Sequence, residues 1–154
     1  MAPNHLRWKG ARTVVGQDAF APIEFAPGSI GNDKNLLVSP QHRMLIDDYR
    51  AAMYFGEDEV ITAADFLVNH DSIVKREMDS VTYYHLLFDT HELVMSCGTW
   101  SESYQPGSYS LPGLDDRARW ELFELFPGLR TDPGTYGPAV RASIKRQQAA
   151  LLAA

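Results

Sequence analysis

Short apolar runs separated by turn residues fill the first two-thirds of the chain. Leu6–Trp8, Ala21–Phe25, Leu36–Val38, Met44–Ile46, Met53–Phe55, Val60–Thr62, Val81–Phe88 and Leu93–Ser96 are rich in β-branched and aromatic residues. Each has the length of a strand, and the breaks between them hold Gly, Pro, Asn and Asp. Pro27-Gly28, Gly31-Asn32-Asp33 and Gly56-Glu57-Asp58 read as turns, because Gly and Asn tolerate positive φ and Pro presets its own. Ala63–Asn69 has room for one or two helical turns. Many short strands with little helix predict an all-β domain up to about Tyr104.

The pattern changes after Pro106. Ser108–Gly113 reads as a loop. Leu114, Ala118, Leu122 and Leu125 recur at helical spacing over Leu114–Phe126, with Asp115 and Asp116 in the first turn, where carboxylates suit the helix dipole. Pro127-Gly128 ends that helix, and Asp132-Pro133-Gly134 marks a second loop. Pro138 fits the first position of a last helix running to about Leu152. Its Arg141, Lys145 and Arg146, with no acid among them, predict a solvated amphipathic tail. The expected division is a β domain over 5–107 and a helical extension over 108–154.

Composition narrows the function classes. Of 154 residues, 45% are hydrophobic and 22% charged, as in a folded protein. The net charge of -6 lacks the basic footprint of a general nucleic-acid binder. Cys97 stands alone, so neither an intrachain disulfide nor a cysteine-rich zinc site can form. No apolar run has the length of a membrane span, and the opening MAPNHLRWKG has no signal-type stretch. The expectation is no nucleic-acid, membrane or cofactor partner, and a cytoplasmic location by default unless a longer protein carries the chain for export.

Two segments hold candidate chemistry. In Val38-Ser39-Pro40-Gln41-His42 a strand ends in a hydroxyl, a proline turn follows, and a histidine arrives three residues on. Ser39 can orient the imidazole or bond a carbonyl, and His42 can move a proton near neutral pH; the plainer reading is a hydrogen-bonded turn. In Val81–Val94, an unbroken strand would place His85, Asp89 and His91 on one face, unless a turn at Asp89-Thr90 breaks the register. That face offers a proton-transfer cluster, or three metal ligands at no familiar spacing, or simply histidines satisfied by hydrogen bonds. Cys97 sits at a strand end with no basic neighbour to activate it and reads as an inert thiol. No Gly-x-Ser-x-Gly elbow makes Ser39 a hydrolase nucleophile.

Taken in order, these segments resemble the Hint domain, the self-processing module shared by Hedgehog proteins and inteins, and in particular its bacterial form. Ser39-Pro40-Gln41-His42 is similar to the family's Thr-x-x-His. Tyr84-His85-Leu86 and His91-Glu92-Leu93 resemble its later block, with His85 where Asp is common; Gly98–Ser103 and Leu6-Arg7-Trp8 also resemble the bacterial group. The resemblance implies a mainly β fold, a partial Hint-type horseshoe followed by two C-terminal helices. It also implies an acyl shift in which an N-terminal Cys or Ser attacks the preceding peptide carbonyl. His42 would then protonate the departing nitrogen and Ser39 would orient the bond, with His85 and His91 as later proton-transfer or structural groups.

The family's nucleophile segment has no counterpart before Leu6. The expectation is therefore the C-terminal portion of an autoprocessing domain, inactive alone and at most self-cleaving as part of a complete one. Its expected partner is the missing N-terminal half, or a second copy pairing through an exposed strand edge. Two readings from other classes stand beside it. One is a non-catalytic binding or secretion-associated module; the other is a small hydrolase or metal enzyme using His42, His85 and His91.

Overall fold

Pairing partners, more than local apolar content, decide where the strands run. A computed structural model of the protein describes residues 3–107 and 110–153. β1 (Leu6–Gly16) starts at the predicted run but continues through Lys9-Gly10-Ala11-Arg12, where no alternation marks it. It is held there by its ribbon partner β7 (Met78–Phe88). β2 (Ile23–Phe25) is the centre of an antiparallel sheet between β3 (Leu36–Val38) and β6 (Ile73–Lys75). In the third sheet, β4 (Arg43–Ile46) lies between β5 (Val60–Ala63) and β9 (Thr99–Glu102). β8 (Leu93–Ser96) and the two-residue β10 (Ala142–Ser143) form its edges. The protein is mainly β, as the residue pattern predicts, and no sheet closes into a barrel.

Two predicted elements differ. Met53–Phe55 is not a strand but the end of α1 (Tyr49–Phe55). Asp48 caps this helix by accepting from the Arg50 N–H, and Gly56, at φ 72, closes it with its N–H on the Ala52 carbonyl. The residue read as a turn is a helix cap.

The last helix is shorter than predicted. α3 spans Arg146–Ala153, because the residues before it are engaged elsewhere: Ala142 and Ser143 pair in parallel with Val60 and Ile61, and the Ile144 N–H bonds the Ile61 carbonyl. Ala149 and Leu152 are buried, and Arg141 and Arg146 pair with Glu59 and Asp65. The tail is docked rather than solvated.

α2 (Asp116–Leu125) forms as its spacing predicts, with Asp115 at its N-cap accepting from the Ala118 N–H. In the preceding loop, Ser108 and Tyr109 lie outside the described residues, while Leu111–Gly113 form a single tight turn.

The chain divides into two compact units, with boundaries inside β1 and β7. One contains residues up to Arg12, Thr82–Glu92 and Ser103–Val140; the other contains Thr13–Val81, Leu93–Glu102 and Arg141 onward. The first buries Trp8, Leu87, Leu111, Leu114, Leu122, Leu129 and Tyr136 together. Two polar groups are partnered into this core: Trp8 Nε1 donates to Glu121 at 2.9 Å, and the Tyr136 hydroxyl donates to the Phe88 carbonyl at 2.6 Å. The second unit packs Ile23, Phe25, Met44, Ala64, Leu67 and Ile73 in one cluster, and Ala51, Val60, Ile144, Ala149 and Leu152 in another. No helix among the described residues is long and apolar enough to cross a membrane.

Candidate functional site

The Ser39–His42 segment is a tight turn joining β3 to β4. Pro40 is buried, and Ser39 and His42 are half-buried. The His42 N–H donates to the Ser39 carbonyl at 3.1 Å and closes the turn. The Pro40 carbonyl accepts from the Asp65 N–H, and the His42 carbonyl from the Ala64 N–H, each at 2.9 Å. The turn is thus braced against the helical turn Ala64–Leu67. Just beyond it, the Arg43 guanidinium and backbone N–H both reach the Glu102 carboxylate. Backbone bonds on both sides fix where His42 leaves the chain, which general acid work by an imidazole requires.

His85 and His91 lie in the other unit. His85, half-buried on β7, meets the Tyr104 ring edge-on at 5.1 Å. The Tyr104 hydroxyl is buried and finds no hydrogen-bond partner among the described residues. Burial pushes this phenol up to about 12.

The chain bends at Asp89-Thr90, so the single face of three side chains does not form. Asp89 instead takes Arg7 Nη1 at 2.8 Å and the His5 N–H at 3.2 Å, which together hold its carboxyl below the ordinary range. His91 is buried at 4% exposure. Its Nδ1 accepts from the Val140 N–H at 2.9 Å, and its Nε2 lies 3.2 Å from the Ser103 carbonyl. Among the described residues, no three His, Cys, Asp or Glu side chains are placed to hold a metal ion.

Cys97 is remote from His42. Met44 is bridged to Ser101, and antiparallel pairing sends Cys97 and His42 to opposite ends of β9 and β4. Six strand residues separate their levels, about 20 Å. Cys97 and Gly98, at φ 52 and 80, make the two-residue hairpin turn between Ser96 and Thr99. Positive φ at both positions favours Asn-Gly, and a cysteine at the first is strained. Cys97→Asn is expected to raise stability by about 0.5–1 kcal/mol in urea denaturation. A loss instead would mean that the thiol's packing outweighs the strain.

The residues missing from the sequence reading are the partners: Glu102, Ser103, Tyr104 and Val140. Only the first three lie in a segment whose pattern drew notice, Gly98–Ser103 and its neighbour, and nothing in their spacing links them to positions 43, 85 or 91.

A model of the Hint domain matches residues 2–108. Neither a curated protein nor a solved structure matches the chain. The match covers well over half of the residues and includes the Ser39–His42 turn, the Arg43–Glu102 pair, His85 and His91. The chain belongs to the Hint domain family.

Proposed function

We propose that this chain supplies the proton-donating side of a Hint-type acyl shift and no attacking atom of its own. In that shift a Cys or Ser from another segment attacks the carbonyl before it. The new S–C or O–C bond forms as the nucleophile's proton passes to solvent. The tetrahedral intermediate collapses, the C–N bond breaks, and the departing nitrogen takes its proton from His42 while Ser39 orients the bond. His42 regains a proton from solvent, and water hydrolyses the resulting thioester or ester to release the preceding segment. Residues 5–107 form the Hint-like part and 108–154 its helical extension. The reaction is a self-cleavage or splicing step, not turnover.

The observation that carries this reading is the braced turn. Both peptide groups flanking His42 are bonded, so the imidazole is presented from a fixed backbone. The distance of Cys97 from that turn supports an outside nucleophile. The two backbone bonds to His91 favour its structural role over proton transfer. β8, with no strand beyond it in the five-stranded sheet among the described residues, offers the edge on which a supplied segment or a second copy would pair.

The test places a reporter ahead of the chain. The chain alone is expected to release no fragment. Supplying a preceding segment that opens with cysteine is expected to give release, slowed about 10²- to 10⁴-fold by His42→Ala. Release from the chain alone that His42→Ala abolishes would overturn the proposal.

A further inference from the structure

We infer that Glu102 is a positioning residue for His42, acting through the backbone of Arg43; this rests on the reading of His42 as the acid. Glu102 Oε1 accepts from the Arg43 backbone N–H at 3.1 Å. Its Oε2 accepts from Arg43 Nε at 2.9 Å and lies 2.7 Å from Nη2. Both oxygens are therefore engaged by one residue, and both side chains are shielded, at 11% and 23% exposure.

The geometry matters because the Arg43 N–H and the His42 carbonyl belong to the same peptide plane. The carbonyl end is held by the Ala64 N–H at 2.9 Å, and the N–H end by Glu102. The preceding plane is held by the His42 N–H on the Ser39 carbonyl. With both flanking planes bonded, the backbone of His42 is fixed. β4 and β9 share one bridge, Met44 to Ser101, and the Glu102 side chain takes up the N–H next to it. Without that carboxylate, the Arg43 N–H end of the His42 plane loses its bond to Glu102.

Three variants of the intact chain separate backbone positioning from a plain ion pair. Glu102→Ala removes the acceptor and the pair. Glu102→Gln keeps an acceptor for the Arg43 N–H and loses the charge. The swap Arg43→Glu with Glu102→Arg restores the pair and removes the acceptor. The readouts are deuterium exchange of the residue 43 amide and the ring signals of His42 by NMR, with the melting midpoint alongside.

Exchange is expected to rise at least tenfold in Glu102→Ala and in the swap, and the His42 ring signal to broaden or shift in both. Both readouts should stay close to the parent in Glu102→Gln, while the swap regains the melting midpoint lost in Glu102→Ala. Should Glu102→Ala fail to fold, the other two variants still cross: a His42 signal disturbed in Glu102→Gln and restored in the swap would overturn the inference. So would a signal unmoved in Glu102→Ala. None of these readouts needs the acyl shift. Release that survives His42→Ala would remove the acid role and leave the clamp standing, so the two ideas fail separately.

Discussion

Replacing Asn32 by aspartate is expected to destabilise the protein by about 4 kcal/mol at neutral pH, more than replacing it by alanine. Asn32 is 3% exposed, and the two hydrogens on its Nδ2, one of them shared, serve three carbonyls, those of Phe25, Ala26 and Lys34, at 3.2, 3.1 and 2.7 Å. Its Oδ1 accepts from the Ile30 N–H at 3.1 Å, and its own carbonyl from the Gly28 N–H at 2.7 Å. One side chain thus closes the loop that follows β2. An aspartate oxygen in place of the amide nitrogen would face three carbonyl oxygens with a buried negative charge. Alanine would take the amide from those carbonyls, of which that of Ala26 still accepts from the Ser29 N–H and hydroxyl, and would add no charge.

The pH dependence follows with a definite sign. The carboxyl introduced by Asn32→Asp would have its pKa raised in the folded state by burial and by those carbonyls. Its stability deficit is then smallest below the unfolded carboxyl pKa, about 3.9, and grows as pH rises through the folded value. Urea denaturation at several pH values, each against the parent, measures this; a gap under 1 kcal/mol at neutral pH would refute the three-carbonyl account. The loop also matters beyond itself. Thr99 Oγ1 bonds the Ile30 carbonyl at 3.0 Å, and the Asp33 N–H bonds the Cys97 carbonyl at 2.8 Å. The hairpin of β8 and β9, which carries Glu102, is anchored on it.

What was legible in the residues was whatever depends on local pattern. The alternation along β7, the spacing of α2 and the strands Leu36–Val38 and Leu93–Ser96 all follow from side-chain periodicity. β9 was not, because its inward positions are Thr99 and Ser101, buried yet polar. Its strand character comes from β4 and β8 on either side, which no short window contains.

α1 was hidden for a related reason. Its signals are the caps Asp48 and Gly56, and both residue types also make turns. The Ser39–His42 motif was readable as a turn with a histidine, but its bracing by Ala64, Asp65 and Glu102 arises from chain segments tens of residues away. Asn32 was read only as part of a turn, since nothing local distinguishes a loop asparagine from one that satisfies three carbonyls.

His91→Leu is expected to cost about 3 kcal/mol, with His91→Asn and His91→Gln each costing roughly half of that. A backbone N–H can only donate, so the Val140 N–H fixes Nδ1 as the unprotonated nitrogen. The ring proton then sits on Nε2, where it donates to the Ser103 carbonyl. Leucine would remove the acceptor of the Val140 N–H and the donor to the Ser103 carbonyl. The Asn oxygen stands near where Nδ1 was and keeps a partner for Val140; the Gln amide reaches toward Ser103 and keeps a donor for that carbonyl. Ser103 is itself a joint, since its hydroxyl accepts from the Glu92 N–H at 2.9 Å and its N–H donates to the Glu92 carbonyl at 2.8 Å. Losing the imidazole therefore loosens the crossing of two segments as well as one bond. The same geometry bears on chemistry: His91 has neither a lone pair nor a proton to offer a substrate without breaking a backbone bond. Denaturation midpoints of the three variants, together with reporter release in the presence of a supplied nucleophile, check this. His91→Asn should lose stability and keep release, and a His91→Leu chain within 0.5 kcal/mol of the parent would sink the structural role.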